Sequence, residues 1–137
     1  MRSLSAWRIL AAAGLSALLA GPGHSQPGGS GHPMLTRLEA GQWELRGASG
    51  SGRIAAICLG NPILLTQPRH GAAPCTRDVV AADADSMTVN YSCPGQGRGR
   101  TTIRFETPRL VQIDSQGLDH GMPFALRAEA RRVGPCA

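Results

Sequence analysis

Lysine is missing from this 137-residue chain; all 14 of its basic residues are arginine. That excludes Schiff-base and lysine-nucleophile chemistry. Aromatic residues are scarce, and beyond residue 25 only Trp43, Tyr91, Phe105 and Phe124 remain. All four fall in strand or core patterns, which leaves no exposed platform for stacking bases, so no nucleic-acid partner is expected. No apolar run after Ala20 approaches the length of a membrane-crossing helix. No two cysteines stand at the close spacing of a structural zinc site, and neither a metal nor any other cofactor is expected. The stretch Gly47-Ala48-Ser49-Gly50-Ser51 lacks the last glycine of a nucleophile elbow.

What is present begins with a three-part amino terminus. Arg2 and Arg8 give a short positive region, Ile9 to Ala20 is uncharged and apolar, and Gly21-Pro22-Gly23 ends any helix. Small residues at Gly23 and Ser25 suit a peptidase site, which predicts a signal peptide over 1–25 with cleavage near Ser25, or alternatively after Ala20. The apolar run is short for an uncleaved anchor. Pro22 occupies the place of a lipidated cysteine, which argues against a covalent lipid anchor. Removing 25 residues leaves 112, enough for one modest domain. Residues 26–34 are rich in Gly, Pro and Ser and read as a flexible linker, with the ordered domain over 35–137. Without Arg2 and Arg8, twelve arginines face nine acids, a balance that permits attraction to anionic surfaces.

Beyond the linker the dominant period is two. Polar and apolar residues alternate over Gln42 to Arg46, Thr88 to Cys93 and Thr101 to Glu106, and Leu110 to Asp114 is a β-branched run following Pro108. These read as half-buried antiparallel strands. Arg53 to Cys58 is a further strand after a Gly-rich turn, and Pro94-Gly95-Gln96-Gly97 is a hairpin signal stronger than Asp83-Ala84-Asp85. Asn61-Pro62 followed by Ile63 to Gln67 and Pro68 predicts one or two turns of helix with Asn61 as N-cap. Phe124 to Val133 is built of good helix formers, yet Phe124, Leu126, Ala128 and Ala130 share a period-two face, and strand is the preferred reading. The expected fold is all-β and mainly antiparallel, about seven strands in a curved sheet or barrel-like meander, with one short helix.

Cys58, Cys75, Cys93 and Cys136 are an even set in a small exported chain, which predicts two disulfides. Four cysteines permit three connectivities, of which Cys58–Cys75 with Cys93–Cys136 is preferred. Gly41 and Trp43 open the domain, Cys58 precedes the helical turn, Cys75 and Cys93 follow, and Gly134-Pro135-Cys136 closes it. That order resembles one of the numbered domain-of-unknown-function families of small exported proteobacterial proteins, number 3617 of that series. The resemblance spans roughly Ala40 to Cys136 and implies a periplasmic or secreted β domain, with no catalytic residues to carry over.

Other constellations are weighed on their chemistry. Asp119-His120-Gly121-Met122 offers a His/Met pair for copper, but two ligands in a turn are a common accident. Asp114, His120 and a serine form a triad only on paper. Glu44 and Glu106 are candidate paired carboxylates, yet both fall on the polar side of their strands. Asn90-Tyr91-Ser92 matches a glycosylation acceptor inside a strand pattern. The densest positive cluster is Arg98, Arg100, Arg104 and Arg109, read as a Gly/Arg hairpin that can contact an anionic envelope component or an acidic protein. The functional expectation is a non-enzymatic envelope protein, periplasmic or secreted, that binds a ligand or partner. An inhibitor-like module capping an envelope enzyme is the alternative, and a hydrolase of envelope polymers ranks third.

Overall fold

The computed structural model describes residues 32–48 and 52–137; the expected signal peptide over 1–25, most of the expected linker and residues 49–51 lie outside them. Seven strands form one antiparallel sheet: β1 Gly41–Gly47, β2 Arg53–Leu59, β3 Thr76–Ala82, β4 Ser86–Cys93, β5 Gly97–Thr107, β6 Leu110–Asp119 and β7 Met122–Gly134. A single helical turn, α1 Pro33–Thr36, precedes them, and a 3₁₀ turn spans Pro62–Thr66. The expected all-β fold, strand count and helical turn are borne out. Asn61 caps the 3₁₀ turn, its side-chain oxygen accepting from the Ile63 amide at 3.1 Å.

Strand order is β2-β1-β7-β6-β5-β4-β3. Consecutive strands pair in five cases, and β1 returns to pair with β7. A closed seven-strand meander needs one more ladder, between β2 and β3. That ladder is missing, so the sheet is open and curved, with β2 and β3 as its two edges. The segment 60–75 joins those edges as a strap carrying the 3₁₀ turn. Between β6 and β7, His120 and Gly121 form a two-residue loop with φ of 49° and 82°. Both central residues are left-handed, as a twist-matched hairpin turn requires.

One face of the sheet is the core. Trp43 and Leu45 of β1, Val89 of β4, Ile103 of β5, Val111 and Ile113 of β6, and Ala128 and Ala130 of β7 are all buried on it. Met34, Leu35 and Leu38 from the amino-terminal turn, Leu65 from the strap, Leu59 of β2 and Met87 of β4 belong to the same cluster. Burial of each large apolar side chain is worth roughly 1.5–3 kcal/mol. The opposite face carries the polar residues of each alternation.

β7 shows how tertiary context overrides propensity. Its Ala, Arg and Glu residues favour helix, yet Ala128 and Ala130 are sealed in the core between β6 and β1. Pro123 lies in the half of β7 that β1 does not reach, where a missing amide breaks no ladder on that side.

Two expectations are corrected. Pro33 and Met34, assigned to the linker, belong to α1, and Met34 is 1% exposed, so the ordered domain starts ahead of Leu35. Arg98-Gly99-Arg100 lies, as a hairpin reading requires, on the β5 arm of the β4–β5 hairpin. The disulfides are Cys58–Cys136 and Cys75–Cys93, in place of the preferred pairing. The reason is topological. Cys58 and Cys75 sit on opposite edges with no ladder between them, whereas Cys75 lies beside Cys93 on the neighbouring strand with Cα atoms 4.1 Å apart. Cys136 follows β7 past the start of β1 to reach Cys58 on β2.

Candidate functional site

Strand β5 turns Thr101 and Ile103 into the core and Arg98, Arg100 and Arg104 outward. Register then sets their neighbours. Arg100 stands in one row with Asn90 of β4 and Gln116 of β6, and Asp78 of β3 continues that row beyond Asn90. Arg98 shares a second row with Ser92 and Leu118. Asp78, Asn90, Arg98, Arg100, Gln116 and Leu118 line a groove of about 640 Å³. A second groove of about 420 Å³ shares Ser92, Arg98 and Leu118 with the first and runs on to His120 and the Pro94–Gln96 turn.

Between the two rows, Gly99 and Gly117 contribute only main chain. A Cβ on Gly99 would lie 2.5 Å from the Tyr91 hydroxyl, and one on Gly117 would collide with the Arg98 carbonyl and lie 2.6 Å from the Gly99 Cα. Glycine is needed at both positions for β4, β5 and β6 to approach as closely as they do.

Most of the described arginines are neutralised locally. Arg46 and Arg53 meet Glu44, Arg127 meets Asp114, Arg131 meets Glu129, and Arg69 meets Asp119. Arg98, Arg100 and Arg104 make no ion pair among the described residues. The four-arginine cluster expected from sequence is therefore divided. Arg98 and Arg100 line the groove. Arg104 lies four residues further along β5, roughly 13 Å away, beside Gln112 and Arg127. Arg109 sits in the β5–β6 turn and pairs with Glu39 at 3.3 Å.

A second polar cluster lies under the strap, and sequence reading missed it. The buried Gln67 donates to the carbonyls of Gly71 at 2.7 Å and Ala73 at 2.9 Å, and accepts from Arg77. The His70 side chain is 1% exposed. Its Nδ1 is 3.1 Å from the Tyr91 hydroxyl, and its ring meets Tyr91 and Phe124 edge-on. Nε2 has no hydrogen-bond partner among the described residues and lies 3.8 Å from Asp119. Burial pushes the Tyr91 hydroxyl above its ordinary pKa, and Thr101 and Ser115 bond each other at 2.7 Å in the interior. Neither Tyr91 nor Ser115 reaches solvent. The cluster ties the strap to the sheet and presents no open nucleophile.

The hydrogen bond from His120, followed by that from Arg69, holds the Asp119 carboxyl below its ordinary pKa. A folded-state pKa below the unfolded value gives stability that is present above the unfolded pKa and lost as pH falls through the folded one. Asp119→Asn is expected to flatten the fall of stability with acid below about pH 4, read from urea midpoints across pH. An unchanged acid limb would exclude this contribution.

The remaining candidates are not assembled into sites. Asp114 and His120 are six residues apart along β6, roughly 20 Å, and Asp114 is held by Arg127 at 3.0 Å. Glu44 and Glu106 lie on strands three places apart, roughly 14 Å at the usual spacing and too far for a carboxylate pair. Arg46, chiefly through its hydrogen bond, also keeps the Glu44 carboxyl below its ordinary pKa. His120 and Met122 are exposed in their turn, and no group of three or more His, Cys, Asp or Glu residues suited to a metal occurs among the described residues. Asn90, singled out in a glycosylation pattern, lines the groove.

Fold and groove together define an all-β, doubly disulfide-linked domain with an arginine-lined outer face. No family model, curated protein or solved structure matches the chain. No described helix is long and apolar enough to cross a membrane.

Proposed function

We propose that this chain is an exported, non-enzymatic envelope protein that binds an anionic partner through the outer face of β4, β5 and β6. The observation that carries the reading is the pair Arg98 and Arg100, which line a groove and lack an acidic partner among the described residues. A guanidinium not ion-paired with a carboxylate keeps its fork of donors for an external oxyanion. Two disulfides fit an oxidising compartment, and the resemblance to an exported family points the same way.

The test is binding of the purified full chain, exported and processed by its host, to lipopolysaccharide-bearing vesicles and to neutral vesicles. Its intact mass is expected to lack about the first 25 residues, consistent with the apolar amino terminus. Binding to the anionic surface is expected to weaken with salt, and to fall about tenfold or more in Arg98→Ala/Arg100→Ala. Arg104→Ala should retain it. Equal binding to neutral vesicles, or no effect of the double substitution, would count against the reading.

The inhibitor-like alternative draws on a different feature. Edge strand β3 leaves Val79 and Val80 about half exposed, at 54% and 44%. A free edge with apolar residues is a surface that a partner strand can extend.

A further inference from the structure

We infer that the partner of the outer groove is an acidic polysaccharide lying along the sheet, an inference that rests on the anion-binding reading above. Three features carry it. The first is the mix of groups around the arginines. Arg100 is flanked in register by the carboxamides of Asn90 and Gln116, and Arg98 by the Ser92 hydroxyl. Carboxamides and hydroxyls both donate and accept, as sugar hydroxyls demand, while guanidinium groups only donate and match a carboxylate or phosphate.

The second feature is length. The two grooves share Ser92, Arg98 and Leu118, so the lined surface continues from the Asn90–Arg100–Gln116 row to the β6–β7 turn at His120. A single sugar would fill one part only. A chain can place successive acidic residues against Arg100 and Arg98, whose Cα atoms are about 7 Å apart along the strand.

The third feature is the shortage of apolar anchors. Protein partners are usually held by buried aromatic or aliphatic groups, and Leu118, itself half-buried, is the only large aliphatic side chain lining either groove. Tyr91 and Phe124 also border the first groove, but from the inward row, where both rings are engaged edge-on by His70 and Tyr91 is buried.

The test uses the full exported chain and four probes: oligogalacturonate, its methyl ester, the galacturonate monomer, and poly-L-glutamate of matched charge. Isothermal titration should show binding of the acidic oligomer, with the methyl ester and the monomer far weaker. Asn90→Ala/Gln116→Ala should cost about three- to tenfold for the oligomer, and Arg98→Ala/Arg100→Ala more, with far-UV circular dichroism unchanged. Poly-L-glutamate binding as tightly as the glycan would overturn the polysaccharide inference while leaving an anionic partner standing. Monomer binding as tight as the oligomer would remove the requirement for a chain and overturn the inference. Failure of every polyanion to bind would bring down both readings.

Discussion

Replacing Cys58 and Cys136 together by serine is expected to lower the unfolding free energy by about 4 kcal/mol on the loop-entropy relation. The bond closes a loop with a sequence separation of 78, the longer of the two cystine loops. Cys75–Cys93 spans 18, and its loss should cost about 3 kcal/mol by the same relation. Urea titrations of the oxidised chain and of each double variant give the difference directly. The structure adds a spatial expectation, because each bond ties down one edge of the open sheet: β2 through Cys58 and β3 through Cys75. Hydrogen exchange should accelerate first in β2 for one variant and in β3 for the other. Uniform acceleration, or wild-type stability in both variants, would show that the bonds do not restrain the edges as argued.

Trp43→Ala is expected to cost about 3–5 kcal/mol. Trp43 is fully buried at the centre of β1, with β2 on one side and β7 on the other. Its indole N–H also donates to the Glu39 carbonyl at 2.9 Å, tying the amino-terminal turn to the sheet. Truncation removes the largest buried side chain and leaves that carbonyl without its indole donor. Trp43→Phe should keep most of the packing and lose only the bond, about 1 kcal/mol. Thermal midpoints of the two variants separate the contributions. A small loss in the alanine variant would mean that the core closes over the cavity.

Much of the fold is legible in the sequence because period-two alternation survives wherever one face is buried. Val89, Tyr91 and Cys93 share a face in the sequence pattern and are buried together in the structure. β7 is legible for the same reason, despite its helix-forming composition. Strand β3 is harder to see, because edge residues such as Val79 and Val80 remain exposed and carry no clear alternation. The cystine pairing is not legible, since it follows from strand order, which local pattern does not encode. The groove divides in the same way. Arg98 and Arg100 stand out by composition, but Asn90, Gln116 and Leu118 join them only through the register of three strands. Gln67 and His70 are polar residues in a proline-bounded segment, and nothing local announces their burial under a strap.

The cystine from β2 to the end of the chain also governs how this domain responds to being pulled. Under tension between residues 32 and 137, force passes from Cys58 to Cys136 through the covalent bond and bypasses the loop between them, a sequence separation of 78. Only the amino-terminal turn, β1 and most of β2 can extend, while β3 to β7, the strap and the arginine groove stay slack inside the loop. A translocase or protease drawing on the amino-terminal end would meet a covalent stop at Cys58, and one drawing on the carboxyl end would meet it at Cys136; reduction is the step that would let either continue.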